Sequence, residues 1–360
     1  IGATVQAVHE PSGTRYTAVT NVNGRFTIQG MRTGGPYAVT VSYIGHQTKT
    51  MKGITLQLGE TYNLNVWLSE NATDLAEVVV SGRASKFAAE KTGASTNIDN
   101  DQLMMMPTLD RSLSTVAKLS PYSGGGMNLA GADPRSTNFT IDGANFNNSF
   151  GLTSDLPGGG TPISIDAIEE MQVVIAPFDV RQTNFIGGGI NAITKSGTNE
   201  FKGTVYGFYR DKYMRGNKIY GEDLGTRATD TKKTYGITLG GPIIKNKLFF
   251  FVNYEKELTP KEVVQYRARE DGETPGGMVS RTTASDMEKV ANFLRTQYGY
   301  DPGSYTDFPA EDTNEKFLAR LDWNITDAHH LALRYNKTKV EDWRPTNAMS
   351  SDVSLYGGIS

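Results

Sequence analysis

Few residues in this chain of 360 are of types that make or break bonds. Cysteine is absent, so there is no thiolate nucleophile and no disulfide framework. Of four histidines, only His329 and His330 sit close together. Adjacent residues on a strand point to opposite faces, so this pair does not readily share a metal ion. Glu169-Glu170 precedes an apolar run and reads as a solvated turn, not as converging carboxylates. The glycine runs Gly124–Gly126 and Gly187–Gly189 are not followed by Lys-Ser or Lys-Thr and open no helix, so neither is a phosphate loop. Met104, Met105 and Met106 read as core filler beside Pro107, not as a ligand set. The expectation is a chain that is not an enzyme, with no catalytic residues, no metal and no cofactor.

What remains is recognition by backbone and polar groups. Glu77-Val78-Val79-Val80 is a short extended segment in a linker rich in Ala, Ser, Lys and Thr. Such a segment can add itself as a strand to another protein's sheet edge. The alternative is that its valines begin the next domain's first strand. Asn145-Phe146-Asn147-Asn148 opens a polar loop whose side chains hydrogen-bond and stack without ionising. Lys195-Ser196-Gly197-Thr198-Asn199 is a turn with basic and hydroxyl groups.

These stretches sit on a mainly β chain. Residues 4–67 alternate in runs of about five, divided by turns such as Asn23-Gly24, which predicts a hairpin with both turn residues at positive φ. A small sandwich over residues 1–70 follows, of transthyretin or Ig-like type. Residues 71–98 are a linker. Residues 99–197 mix short helices with strands. Asp101-Gln102-Leu103 reads as a helix start, and Leu109, Leu113, Val116 and Leu119 have helical spacing. Phe139-Thr140-Ile141 is a strand turned by Asp142-Gly143. From residue 198 the texture changes. Tyr235-Ile237-Leu239, Leu248-Phe250-Val252-Tyr254, Phe317-Ala319-Leu321-Trp323 and Leu331-Leu333-Tyr335 alternate with more polar residues. Turns at Asn246 and at 326–329 are short, whereas 258–313 is long and holds an amphipathic helix over 285–298 with Met287, Val290, Phe293 and Leu294 on one side. Short turns opposite long loops mark an outer-membrane barrel. Alternation alone does not separate a barrel from a sandwich that buries its apolar face. Net charge is −3, which offers no footprint for nucleic acid.

Several motifs carry a resemblance. A strand ending in Thr194-Lys195-Ser196-Gly197-Thr198-Asn199 and running into aromatic strands resembles the plug-to-barrel joint of TonB-dependent outer-membrane transporters. Phe139, Ile141, Asp142 and Gly143, followed by an Asn-rich stretch, resemble the plug motif of the Oar-like branch. Residues 1–70 are similar to a carboxypeptidase-regulatory-like domain, without its namesake's metal residues.

The resemblance implies a TonB box at Glu77, Val78, Val79 and Val80, and a plug at 99–197. It implies the first strands of an incomplete antiparallel transmembrane barrel at 198–360, with a long extracellular loop at about 258–313. It also implies a substrate-facing plug loop at Asn145, Phe146, Asn147 and Asn148. Gly187, Gly188 and Gly189, with Thr194, Lys195, Ser196 and Gly197, would form the plug–barrel joint, the glycines serving close packing inside the lumen. Location would be the bacterial outer membrane, with the first domain periplasmic. Partners would be TonB with its inner-membrane energising complex, outer-membrane lipid, peptide or protein cargo and a surface lipoprotein. Barrels of this type have 22 strands, and the roughly 160 residues after Gly197 are too few for one. The competing reading is a secreted or surface β-rich adhesin.

Overall fold

The computed structural model describes residues 1–70, 78–81, 94–106, 111–125, 127–147, 156, 161–175, 187–214, 216, 218–223, 231–260, 267–276, 279–303, 311–342, 344–345 and 358–359. Glu77, Asn148 and Leu109, each singled out above, lie outside the described residues.

The N-terminal domain is a sheet with one well-packed face. Strands β1 (Thr4–His9) and β2 (Thr14–Val19) form a hairpin closed by Gly13 N donating to His9 O at 2.8 Å. Strand β3 (Gly34–Ser42) pairs with the other edge of β1, and β4 (Lys49–Leu56) with β3. Strand β5 (Val78–Ser81) then adds to β4 in parallel, giving the order β2-β1-β3-β4-β5. Alternate residues Val5, Ala7, Tyr37, Val39 and Val41 point into the core. Phe26, Ile28, Tyr62, Leu64, Val66 and Leu68 pack against it from segments that join no sheet. The turn at Asn23-Gly24 departs from expectation. Of the two, only Gly24 has a positive φ, 72°. The Asn21 side chain accepts from Asn23 N and Arg25 N, so this Asx arrangement sets the turn one residue earlier.

The next region is mixed α/β. Strand β6 (Ala94–Asp99) leads into α1 (Asn100–Met105). The helix is capped by Asp99, two residues before the start expected from Asp101. Asp99 and Gln102 satisfy each other's backbone N–H in a capping box. Helix α2 (Leu113–Ala117) starts at the Ser112 cap. A small hairpin, β7 (Ser123–Gly125) and β8 (Asn128–Leu129), precedes β9 (Asn138–Ile141) and β10 (Ala144–Asn145). Strands β11 (Ile168–Ile175) and β12 (Gly189–Thr194) complete a sheet ordered β10-β9-β12-β11-β6, in which only β9 and β12 run parallel. Asp142 and Gly143 both take positive φ, 50° and 86°, the two-residue turn that twisted strands prefer. Met104 and Met105 are exposed and only Met106 packs on the core, so the methionines are not a filler cluster. Leu103 takes the inward position of that short helix instead.

The third sheet is antiparallel. It contains β13 (Lys202–Arg210), β16 (Lys232–Ile244), β17 (Leu248–Pro260), β20 (Glu311–Thr326) and β21 (His329–Glu341), in the order β13-β16-β17-β20-β21. Two small pairs, β14 (Lys218–Ile219) with β15 (Glu222–Asp223) and β18 (Arg267–Arg269) with β19 (Val279–Thr283), lie in the long connections. The chain divides into two compact units. Unit 1 holds residues 1–205, 237–254 and 316–338, including the tight turns at Asn246 (φ 61°) and after Thr326. Unit 2 holds 206–236, 255–315 and 339–360, including helix α3 (Ala284–Tyr298). Helix α3 has a Thr283 cap and ends at Gly299 (φ 62°). Its buried stripe is Met287 and Ala291; Val290 and Phe293 face outward. The buried face is thus rotated from the expected one, and Ala291 lies on it.

The third sheet is inside-out relative to a water-soluble protein. In unit 1, Ile237, Leu239, Trp323, Ile325, Leu333 and Tyr335 are exposed, whereas Thr238, Asn253, Lys316, Arg320 and Asp322 on the opposite face are buried. In unit 2, Tyr235 is exposed while Thr234 and Glu255 are buried. A soluble sheet hides its apolar face, so this pattern suits a sheet whose outer solvent is lipid. Among the described residues no helix is long and apolar enough to cross a membrane.

Candidate functional site

The site lies in unit 1, where the mixed region meets the polar face of the third sheet. Its centre is Asp142, placed by the β9–β10 turn with its side chain 4% exposed. Asp142 accepts from Thr194 N at 3.0 Å and from the Thr194 hydroxyl at 2.6 Å. Arg334 Nε stands 3.1 Å from Oδ2, the oxygen that also accepts from the Thr194 hydroxyl. Arg320 Nη1 donates to Thr194 O at 2.6 Å and stands 3.9 Å from Asp142, while Nε and Nη2 of the same guanidinium fork onto Asp322 at 2.8 and 2.9 Å. Two carboxylates therefore face arginines in a fixed geometry inside a low-dielectric seam, where charge-assisted pairs are strongest.

The network extends to the N-terminal domain. Arg32 donates to the Ser196 hydroxyl, and its guanidinium is 3.6 Å from Asp322. The three arginines and two aspartates leave one formal positive charge. Nearby, Asn199 N donates to Pro11 O at 2.8 Å and Asn324 Nδ2 to Thr14 Oγ1 at 2.9 Å. Thr338 Oγ1 donates to Pro162 O at 2.7 Å, a further tie between the mixed region and the third sheet.

Packing fixes the same seam. A Cβ on Gly197 would collide with Phe250 O and lie 2.8 Å from Gly241 O, so only glycine lets the chain press onto strands β16 and β17. Gly187 and Gly188 are equally tight, but against Ala132, Leu129 and Val174. Their close approach is internal to the mixed region. Phe251 and Leu318 join the apolar core built by Phe139, Ile141, Met171 and Ile190.

A second seam joins the N-terminal domain to β11. Leu58, in the turn after β4, donates its N–H to both Glu170 carboxylate oxygens at 2.9 and 3.1 Å. Leu58 O accepts from Gln172 Nε2 at 2.7 Å and Asn97 Nδ2 at 3.0 Å. Glu170 is buried, contrary to the solvated turn expected of Glu169-Glu170: β11 begins at Ile168 and runs through both. Burial pushes its carboxyl up to about 7, with Glu60, Glu169 and Asp99 adding to the effect and the Leu58 N–H opposing it. Lys195 is pulled below the usual lysine range by burial, against the attraction of Glu169, Asp166 and Asp101.

The residues singled out from sequence fall in three places. Phe139, Ile141, Asp142, Gly143, Thr194, Ser196 and Gly197 lie in or beside the charged seam. Asn145 is exposed, Phe146 packs on the core, and Asn147 binds back to Phe139 N at 2.7 Å and Asn138 Oδ1 at 2.6 Å. Val78, Val79 and Val80 form the backbone of β5. Sequence reading missed Arg32, Arg320, Asp322 and Arg334 as site residues. Charged residues alternating with Leu, Trp and Tyr at 318–324 and 331–335 were the local signal for Arg320, Asp322 and Arg334, and Arg32 had none. Among the described residues, no group of three or more His, Asp or Glu could hold a metal ion.

Residues 1–69 match the family described as carboxypeptidase regulatory-like domain, and residues 193–359 that described as outer membrane beta barrel domain. The chain is 24% identical over 344 residues to the TonB-dependent transporter Oar of Myxococcus xanthus, covering 89% of this chain and 30% of that protein. The chain thus spans about a third of this relative's length. Among solved structures it is similar to the siderophore receptor PirA of Acinetobacter baumannii (18% identity, TM-score 0.45, 69% of this chain and 31% of that one). It is also similar to the outer membrane transporter YddB of Escherichia coli (11% identity, TM-score 0.45, 70% and 34%).

Proposed function

We propose that this chain, an Oar-like homologue in the TonB-dependent outer-membrane transporter family, supplies the gate and the first wall strands of a plugged outer-membrane transporter. In this reading the N-terminal sheet is half of a small regulatory-like sandwich on the periplasmic side. Residues 99–197 are the plug, and the inside-out sheet is the first arc of the barrel wall. The observation that carries it is the gripping of Asp142 by Arg320 and Arg334 on the polar face of a sheet whose other face is apolar and exposed. A secreted adhesin would place Ile237, Leu239, Leu333 and Tyr335 in water, an unfavourable exposure of contiguous apolar surface.

The mechanism follows from what must move. Substrate binds above the plug, where Asn145 is exposed. TonB pairs with Glu77–Val80 and transmits force drawn from the inner-membrane proton gradient. Asp142, Thr194 and Gly197 mark the seam that gives way, and the plug rearranges within the wall. Peptide or protein cargo is the substrate class taken from the Oar-like resemblance, with a surface lipoprotein as an accessory partner. No bond is made or broken by this chain. The test is capture of the whole protein, in detergent, by the soluble periplasmic domain of its cognate TonB. Deleting Glu77–Val80 should abolish capture; undiminished capture would sink the assignment.

A further inference from the structure

We propose that the N-terminal domain is a removable bolt: docked, it ties the mixed region to the third sheet, and it must let go at one end before the two can part. The proposal rests on reading those two parts as plug and wall. Its first support is the tip of the β1–β2 hairpin. Hairpin tips normally lie in water, yet Ser12 and Thr14 are 0% and 2% exposed. Against this tip lies a clasp of three asparagines. Asn199, just past the mixed region, donates its backbone N–H to Pro11 O at 2.8 Å. Asn246, in the turn between β16 and β17, leaves no room for a Cβ on Gly13. Asn324 of β20 donates to Thr14 Oγ1 at 2.9 Å and to Asn246 O at 3.0 Å. Asn199 and Asn246 hold each other, Nδ2 donating to Oδ1 one way and N–H to Oδ1 the other, both at 2.8 Å. Tyr16 adds a ring contact to His330 of β21, with centroids 5.3 Å apart.

The domain therefore touches both parties. Arg32 meets Ser196 at the end of the mixed region and Asp322 on β20. At its other end, Leu58 is held by Glu170 and Gln172 of β11. Sliding β11 against the third sheet breaks either the Leu58 end or the clasp. The attachment is also of a kind that comes apart. Among the described residues, the apolar core of the N-terminal domain is a cluster separate from that of the mixed region, whereas Phe251 and Leu318 of the third sheet join the latter. Hydrogen bonds and a single arginine make the docking contacts named here, the polar character of an interface between domains that move. Electrostatics agree. When Arg32 leaves, Arg320 and Arg334 still balance Asp142 and Asp322, so departure strands no buried charge.

Hydrogen exchange of the whole protein in detergent tests this with Arg32→Ala. The Asn199 amide, whose acceptor lies on the domain, reports the clasp. The Thr194 amide, which donates to Asp142, reports the seam. Both should exchange about tenfold faster, the worth of one charged hydrogen bond, while amides of β1 and β3 keep their protection. Arg32→Lys, which retains a cation for Asp322, should fall between the two. Asn324→Ala, made on β20 and outside the domain, should repeat the pattern, so the test stands even if Arg32→Ala unfolds the domain. An unchanged Asn199 amide in Asn324→Ala overturns the proposal. So does a faster Asn199 amide with an unchanged Thr194 amide, because the domain would then leave without loosening anything. Heat-modifiable migration of the unaltered protein separates the two ideas. A protein that does not shift on heating sinks the plug-and-wall reading and the proposal with it. One that shifts, but whose Thr194 amide stays protected in the variants, sinks the bolt alone.

Discussion

Replacing Asp142 with Asn perturbs the charged seam, which the proposed function reads as the contact of plug with wall, while leaving the turn intact. Asp142 sits at φ 50°, a left-handed conformation that Asn tolerates and Ala does not. The amide oxygen still accepts from Thr194 N, so that bond at 3.0 Å persists. What is lost is the negative charge against Arg334 at 3.1 Å and the acceptor for the Thr194 hydroxyl at 2.6 Å. Formal charge in the seam rises from one positive to two. Removing one partner of a fully buried pair costs about 3–5 kcal/mol. Arg334 is 35% exposed, so solvent screens part of this. A fair figure is about 2 kcal/mol, or about 30-fold in the ratio of docked to undocked plug. Hydrogen exchange of the whole protein in detergent reads this directly: amides of residues 138–145 and 189–197 should exchange about 30-fold faster. Asp133→Asn, which removes an exposed ion pair to Arg135, is the comparison and should change nothing. Equal exchange in both variants would refute the view that the charged seam holds the plug.

Two further outcomes follow from the same structure. Glu170 ionises near 4.5 when free and about 7 when docked, so docking of the Leu58 turn is strongest below the lower value and weakens as pH rises between the two. Protection of the Leu58 amide, corrected for intrinsic exchange, should fall on the order of a hundredfold across that window, roughly a decade per pH unit, and become flat in Glu170→Gln; a rise with pH would show the sign is wrong. Ile237→Lys puts a charge on the outward face and should destabilise membrane insertion by about 2–4 kcal/mol if that face meets the bilayer centre. Thr204→Lys, at an exposed position whose hydroxyl meets Thr238 on the inward face, should be milder. Heat-modifiable migration on gels reports the folded fraction, and equal effects would argue against a lipid-facing sheet.

The sequence revealed local features well and long-range partners poorly. Asp142-Gly143 announced its turn, because few residues accept two successive positive φ values. The alternation in β16, β17, β20 and β21 was plain, yet its sense was not: only burial showed that Ile237 faces out and Thr238 faces in. Helix α3 was visible, but its buried face was not, since that face carries Ala291, a residue too small to register in an apolar pattern. The charged seam joins positions 32, 142, 194, 320, 322 and 334, and no local period links them. Glu170 was misread because its neighbour is also acidic, and a pair of acids before a strand resembles a turn. The pairing of β5 with β4 is a register choice between segments about thirty residues apart, which composition does not encode.

Phe251 of β17 and Leu318 of β20 share one apolar core with the mixed region, the plug of the proposed reading, in which the two strands belong to the wall. Their contact has a mechanical reading. Any excursion of the plug away from β17 and β20 wets both side chains together with their partners on the gate. Burying one large apolar side chain is worth about 1.5–3 kcal/mol, so the displaced state carries an opposing load of several kcal/mol from these two residues alone. That load acts as a spring: work is needed to open the passage, while closure proceeds without any. On the proposed reading, a gate built this way would reset after each cycle and leave no standing leak.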